Sequence, residues 1–242
     1  VSFQELRNLI VNDRVCLNFS NAGQIAFQFG HLHVAGPPCI DHSNMGLRRG
    51  FNGPTAALFL TWVQAVSIQR PAVVMFENVV GFPLDVLVDL IGDLYSASHA
   101  IIDPASWGWL AHRRRRYAVF TLIGVCALSK DLAGLSDTLE NLFNPAGSAS
   151  DLLPRAEEPA RRRGAHRQLA AGYRRNLVAY EHMHGNVGGF FDLSQNPEHR
   201  PRAAHARTPL FTVTAHTSKV WSQQTARLLS VSELGAAQGL PT

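Results

Sequence analysis

The chain has 242 residues, 46% of them hydrophobic and 17% charged, which is typical of a folded globular protein and excludes a disordered one. Its longest apolar runs fall short of the roughly 18 residues that a membrane-spanning helix needs, so no membrane partner is expected. Three cysteines are too few for a disulfide framework and favour a reducing compartment.

Positive charge is concentrated late in the chain. The formal net charge is +4, and the sequence pI is about 9.3. Residues 1–150 carry 10 Lys or Arg against 11 Asp or Glu, whereas residues 151–209 carry 10 against 6. A basic segment beside a near-neutral one indicates a polyanionic partner such as nucleic acid, although a solvated, loop-rich surface would give the same balance.

The first half of the chain alternates between predicted helices and strands. Residues 55–69 are apolar almost all round and predict a buried helix, and residues 72–80 predict a buried strand. Residues 83–95 show helical spacing, and further strands are predicted at roughly 98–102 and at 116–126. This alternation predicts an α/β fold with a parallel, doubly wound sheet, whose site lies at the carboxyl ends of the strands.

From about residue 127 the pattern becomes irregular, and prolines and glycines recur. This segment predicts a smaller, basic lobe. Residues 226–239 predict a closing helix with Ser230 as N-cap and Glu233 three residues on, a capping-box pattern. The predicted division is a partial catalytic core over 1–126, a variable basic region over 127–209 and a return to the core over 210–242.

Four short stretches stand in order along the chain: GPPCIDHSNMG at 36–46, ENV at 77–79, HRRRRY at 112–117 and RLLSVSELGAAQGLP at 227–241. In this order, with a basic variable region before the last, they resemble the catalytic core of the DNA cytosine-5 methyltransferases. The resemblance covers roughly residues 30–126 and 208–242. It implies a doubly wound, Rossmann-like methyltransferase core (partial here) with a smaller target-recognition lobe.

The resemblance also assigns roles to individual residues. It implies that Cys39 is the nucleophile, that Glu77 holds the cytosine, and that Arg113 and Arg115 lie beside the thiolate and the base. It implies S-adenosyl-L-methionine as cofactor and DNA as partner. It also implies that the core is monomeric and belongs to a larger polypeptide. The implied substrate-binding residues are Pro38, Ser43, Asn78, Val79 and Arg227, and the implied cofactor contacts are Pro37 and Asn78.

The chemistry of cytosine explains why these residue types are needed. C5 of cytosine is a poor nucleophile until a thiolate adds at C6, and a thiol needs nearby cationic groups to ionise at neutral pH. A carboxyl group facing N3 and N4 offsets the charge that develops as C6 is attacked. None of this can happen inside a stacked duplex, so the base must be flipped into the pocket.

The sequence departs from the family pattern at several positions. Ile40 stands where the family usually has glutamine, and Ala111 stands where the glutamine before the arginine pair is expected. A shift of one residue in that register would give the arginine roles to Arg114 and Arg116. No aromatic-Gly-x-Gly turn precedes Cys39, so we expect a fragment of a longer protein or a degenerate relative.

Several alternatives stay open at this point. The first is an RNA cytosine methyltransferase on the same scaffold, the second a catalytically inactive DNA-binding relative, and the third an unrelated α/β enzyme. Cys39 is alternatively a small buried hydrophobe, the reading that suits Cys16 and Cys126. His182 and His184 beside Glu181 give only a weak zinc signal. Localisation stays open: the nucleus for a eukaryotic parent and the cytoplasm for a bacterial one.

Overall fold

The computed structural model describes residues 31–43, 46, 48–142, 148–153, 169–214 and 219–240. The chain divides into two compact units. The first unit comprises Val1–Ile102 and Arg114–Thr138, and the second comprises Asp103–Arg113 and Leu139–Thr242. The predicted segment boundaries at 126 and 209 rest on the family resemblance and stay predictions. Cys16 lies outside the described residues.

A four-stranded sheet forms the centre of the first unit. Its strands are β1 (Leu32–Ala35), β2 (Val73–Val79), β3 (Tyr95–Ile102) and β4 (Arg115–Leu122), in the order β1-β2-β4-β3. β1 and β2 are parallel, but β4 is antiparallel to both of its neighbours. The prediction of a parallel sheet is therefore wrong for β4. Residues 103–114 join β3 to β4 without an α-helix, so the two strands pair antiparallel.

Two helices cover one face of this sheet, α1 (Ala56–Gln69) and α2 (Leu84–Ile91). Alternation along β2 turns Val74 and Phe76 toward them, where they share one apolar core with Val63 and Leu87. The helix predicted at 55–69 is confirmed within one residue. It is apolar all round, yet only one side is buried, since Ile68 is 69% exposed.

The segment after α2 differs from its predicted bounds. The helix predicted at 83–95 ends at Ile91, and β3 begins at Tyr95 rather than near residue 98. Tyr95 is buried, and its hydroxyl donates to the carbonyl oxygen of Pro71 at 2.9 Å. Burial of the ring in the core therefore favours the extended conformation over a continued helix.

The later part of the chain is more regular than its sequence indicates. It contains two helices that the sequence analysis does not predict, α3 (Leu132–Leu142) and α4 (Ala171–His184). A second, wholly antiparallel sheet has the order β6-β5-β7-β8. Its strands are β5 (Phe190–Asp192), β6 (Ala203–Ala204), β7 (Val220–Ser222) and β8 (Arg227–Leu228).

The closing helix α5 spans Val231–Ala237, a shorter range than the predicted 226–239. Its predicted capping box is confirmed: Glu233 N donates to Ser230 Oγ at 3.2 Å, and Ser230 N donates to Glu233 Oε2 at 2.6 Å. The helix begins late because β8 pairs with β7 first. Across the described ranges, none of these helices has both the length and the apolar character to cross a membrane.

Candidate functional site

Cys39 lies in a tight turn directly after β1. Its carbonyl oxygen accepts from the backbone N–H groups of His42 at 3.0 Å and Ser43 at 2.8 Å. Pro37 and Pro38 restrict the approach to this turn. Cys39 is only partly buried, so it is not the core hydrophobe of the packing alternative. The turn presents the thiol at the carboxyl end of a strand.

Asn78 supports the turn from the neighbouring strand. Its Nδ2 donates to the carbonyl oxygen of Pro37 at 3.1 Å, and its Oδ1 accepts from Val79 N at 2.9 Å. Asn78 is only 1% exposed. The amide therefore ties the end of β2 to the loop, while the predicted substrate and cofactor contacts of Asn78 and Pro37 stay predictions.

Asp41 ties the same loop to the start of α1. Its Oδ2 accepts from Thr55 Oγ1 at 2.5 Å and from Thr55 N at 3.1 Å. The side-chain hydrogen bond from Thr55 is the main cause that lowers the pKa of Asp41. A Cβ atom at Gly53 would lie 2.0 Å from Asp41 Cγ, so only glycine fits there. This anchor is not predicted from the sequence, although an acid two residues after Cys39 is a visible signal.

His42 is a further anchor of the loop that the sequence analysis misses. Its ring lies 5.1 Å from that of Phe51 and 4.9 Å from that of Phe82, centroid to centroid. Burial in this aromatic cluster lowers the pKa of His42. A neutral imidazole in an apolar setting holds the turn after Cys39 in place.

Glu77 and Arg115 form an ion pair beside this loop. Arg115 Nε lies 3.0 Å from Glu77 Oε1, and the Glu77 side chain is 36% exposed. A Cβ atom at Gly36 would lie 3.3 Å from Glu77 Oε2, so the carboxylate borders the chain three residues before Cys39. Glycine at position 36 therefore lets the loop pass close to the carboxylate.

The other arginines of the run differ from Arg115 in their hydrogen-bond partners or exposure. Arg116 Nε and Nη2 donate to the carbonyl oxygen of Val80 at 3.4 and 3.1 Å. Arg114 is exposed. The structure thus pairs Arg115, and not Arg114 or Arg116, with Glu77. Arg113 belongs to the second unit, where its backbone N–H donates to Asp103 Oδ1 at 3.0 Å.

Arg227 is engaged by the closing helix. Its Nη1 donates to Glu233 Oε2 at 2.8 Å, and its Nη2 donates to Glu233 Oε1 at 2.6 Å. This bidentate pair is the main cause that lowers the pKa of Glu233 to about 2. The predicted substrate contact of Arg227 stays a prediction, as do those of Pro38, Ser43 and Val79, which flank the Cys39 loop and the end of β2.

No metal centre emerges in the part of the chain that the structure describes, where no three His, Cys, Asp or Glu side chains gather as ligands. His182 and His184 lie in the last turn of α4, and His184 stacks with Tyr180 and Phe191. The weak zinc signal of the sequence finds no support there.

The sheet with antiparallel β4, and the site at the ends of β1 and β2, define the class of a Rossmann-like methyltransferase core. Residues 23–124 match the family model described as C-5 cytosine-specific DNA methylase. The type II methyltransferase M.MspI of Moraxella sp is 31% identical over 94 residues, which cover 35% of this chain and 22% of the relative.

One solved structure supports the fold, and a second is similar over part of the chain. A prophage-encoded chain of E. coli, described as a DNA modification methyltransferase, matches with a TM-score of 0.52 at 12% identity, over 100% of this chain and 75% of that one. The S. pombe Dnmt2 methyltransferase matches with a TM-score of 0.41 at 17% identity, over 53% of this chain and 42% of that one.

The family resemblance of the sequence is thereby confirmed over residues 23–124, which match the model of the C-5 cytosine-specific DNA methylases. Members of this family generally use S-adenosylmethionine. The match spans 22% of the length of the curated relative, so the activity, substrates and partners of the whole protein are matters of proposal.

Proposed function

We propose that this chain carries the base-reacting part of a DNA cytosine-5 methyltransferase, in which Cys39 attacks a flipped cytosine and S-adenosylmethionine is the methyl donor. One observation carries the proposal: the Glu77–Arg115 ion pair lies beside the loop that presents Cys39, at the carboxyl ends of β1 and β2. A nucleophile, a carboxyl group and a guanidinium are the groups that this reaction needs.

The proposed reaction begins when the Cys39 thiolate forms a bond to cytosine C6. The electron pair of the C5–C6 double bond moves into the ring while N3 takes a proton from Glu77, which leaves C5 nucleophilic. S-adenosylmethionine, when bound, would supply the methyl group that C5 takes up. Loss of the C5 proton to solvent restores the double bond and expels the thiolate, and N3 returns its proton to Glu77. Cys39 is therefore regenerated, and no redox partner is needed.

Arg115 orients Glu77 in this scheme. Its Nε holds Oε1, which leaves Oε2 of Glu77 for the base. Arg113 is proposed as a further cationic neighbour on the strength of the family pattern. The cytosine reaches these groups only when it is flipped out of the duplex, because the reacting ring positions are stacked within it.

The surroundings of Asn78 and Pro37 bear on their predicted contacts with S-adenosylmethionine. The Asn78 amide already binds Pro37 O and Val79 N, and the residue has almost no exposed surface. The Asn78 side chain therefore holds the loop, and the cofactor contacts of Asn78 and Pro37 stay predictions.

Covalent capture tests the proposal. The chain is incubated with S-adenosylmethionine and a duplex containing 5-azacytosine, and protein–DNA adducts are resolved on a denaturing gel. We expect an adduct in the wild type and none in Cys39→Ser. Cys126→Ser is the matched control, because Cys126 is also a partly buried free thiol but donates to Ala72 O at 3.1 Å. An adduct that survives in Cys39→Ser contradicts the nucleophile.

The same assay separates the alternatives. A structured RNA containing 5-azacytosine, run beside the duplex, would be captured in preference to DNA by an RNA methyltransferase. A catalytically inactive DNA-binding relative would bind the duplex in a salt-sensitive manner without any adduct in the wild type.

A further inference from the structure

His112 and Asp103 form a hydrogen-bonded pair in the second unit. His112 Nδ1 lies 2.8 Å from Asp103 Oδ2. The carboxylate is nearly buried, with its side chain 14% exposed, whereas the imidazole is 48% exposed. The pair is therefore a buried anion that holds one side of a solvent-facing ring.

Asp103 is fixed by its own hydrogen bonds. Its Oδ1 accepts from Arg113 N at 3.0 Å and from Ala105 N at 3.2 Å. Burial alone would raise the pKa of Asp103, but the hydrogen bonds from Arg113, His112 and Ala105 outweigh it and lower the pKa. Asp103 is thus an anion throughout the neutral range.

The backbone that carries His112 is fixed as well. His112 N donates to Leu210 O at 2.8 Å, and Leu210 N donates to Leu110 O at 2.8 Å. Ala111 and Leu210, which form a β-bridge here, are both buried in the core of the second unit. The imidazole is consequently presented from a rigid segment, as binding residues need to be.

The contact with Asp103 decides which ring atom faces outward. A carboxylate accepts hydrogen bonds, so Nδ1 carries a proton and Nε2 remains for a ligand. Within the described residues, no other group hydrogen-bonds to this ring. When the imidazole is charged, Nε2–H is a cationic donor, and the exposed Arg113 side chain follows directly in the chain.

We propose that His112, held by Asp103, binds a backbone phosphate of duplex DNA in its protonated form. A phosphate oxygen accepts the charge-assisted hydrogen bond that Nε2–H offers, and such contacts position a protein on DNA without reading sequence. The inference rests on the proposed function in that DNA is the substrate. It adds one named residue, His112, that binds a phosphate only while its imidazole ring is charged.

The salt dependence of DNA binding measures this contact. Each phosphate contact adds about 0.9 to the slope of log K against log salt concentration. Binding of a fluorescein-labelled duplex is titrated with NaCl at pH 5.5 and at pH 8.5, by fluorescence anisotropy. We expect His112→Gln to lower the slope by about 0.9 at pH 5.5 and to leave it unchanged at pH 8.5.

Two further variants make the result specific. His112→Arg keeps its charge at both pH values, so its slope should exceed that of wild type by about 0.9 at pH 8.5. His182→Gln is the matched control, because His182 is exposed on α4 and has no ion pair with a carboxylate within the described residues. Its slopes should match those of wild type at both pH values.

The outcomes separate the two proposals. Absence of DNA binding at every pH overturns the proposed function and the inference with it. DNA binding whose slope is the same in wild type and His112→Gln at pH 5.5 overturns the inference alone. An equal loss of slope in His182→Gln also overturns it, because the effect would then not depend on the contact with Asp103.

Discussion

Arg115 Nε lies 3.0 Å from Glu77 Oε1, and the two residues sit diagonally across the β2–β4 pair. In the register of these strands, Glu77 faces Tyr117, and Val79 faces Arg115. Diagonal neighbours on one face of an antiparallel pair are within reach of long side chains. The position of the proposed base-holding carboxylate is therefore set by the sheet, which is more rigid than a loop.

Substitutions of this ion pair should slow the covalent step. We expect Glu77→Gln to reduce the rate of adduct formation with 5-azacytosine DNA by about 100-fold, the scale seen when one stabilising group is lost from an active site. Arg115→Lys should also lower the rate of adduct formation, because the lysine ammonium cannot reproduce the contact of the guanidinium Nε with Glu77. The measurement is a single-turnover time course on denaturing gels.

Arg116→Lys is the control for this prediction. Arg116 donates to Val80 O on the other face of β4, and lysine keeps a donor there. Its adduct rate should stay within about threefold of wild type, a change of less than about 0.7 kcal/mol. If Arg116→Lys lowers the rate of adduct formation as much as Arg115→Lys does, the assignment of the arginine roles to Arg113 and Arg115 is wrong by one residue.

Gly53→Ala should loosen the loop that presents Cys39. The new Cβ atom would lie 2.0 Å from Asp41 Cγ and would displace the carboxylate from Thr55. We expect a loss of about 1–3 kcal/mol in the free energy of unfolding, the usual cost of overpacking, with slower alkylation or capture at Cys39. Urea denaturation followed by circular dichroism measures the loss of stability.

Gly172→Ala is the matched control. Gly172 lies in α4, and a Cβ atom there would meet nothing within 4 Å. Alanine should stabilise the helix by up to about 1 kcal/mol. Equal and small effects of the two substitutions would show that Asp41 does not need its close contact with Gly53.

The Arg227–Glu233 pair predicts a pH-dependent stability. Glu233 has a folded-state pKa of about 2, below the value of 4.5 expected for the unfolded chain. Its stabilising contribution is therefore complete above about pH 4.5 and is lost as the pH falls toward 2. Glu233→Gln should lower the free energy of unfolding by about 1–2 kcal/mol at pH 7, and the two proteins should converge near pH 2–3.

Glu198→Gln serves as the control for this pH dependence. Glu198 is exposed, so its substitution should change the stability at pH 7 by less than about 0.5 kcal/mol. Chemical denaturation at pH 7, 5, 4 and 3 gives the comparison. A constant difference between wild type and Glu233→Gln down to pH 3 would contradict the lowered pKa.

The elements that the sequence predicts correctly are those whose evidence is local. Each of them lies within one continuous stretch of at most 14 residues, and each is confirmed: the apolar run of α1, the short β-branched run of β2 and the Ser230–Glu233 capping box. The direction of β4 was missed because pairing is a non-local property that periodicity does not encode. Helices α3 and α4 were missed because their glycines and charged residues obscure the helical period.

The site shows the same division between local and non-local information. The order of the motifs predicts Cys39, Glu77 and Arg115 as site residues, and the structure places Glu77 and Arg115 in contact. The Asp41–Thr55 hydrogen bond spans 14 residues, and the His112–Asp103 pair links two segments across a turn. Which residues become partners depends on how the chain folds back on itself, so the sequence alone does not predict these pairs.

Gly239 gives a last prediction, at the end of the closing helix. It has a φ of +76°, and a Cβ atom there would lie 2.7 Å from Trp109 Cη2. Gly239→Ala should cost about 1–3 kcal/mol in the free energy of unfolding, because both the left-handed backbone and the ring contact oppose it. Tryptophan fluorescence during urea unfolding gives the measurement. Gly235→Ala, four residues earlier, is the control: its Cβ atom would lie 3.8 Å from Leu240, so we expect neutral or increased stability. Equal stability of the two variants would show that the ring of Trp109 yields without cost.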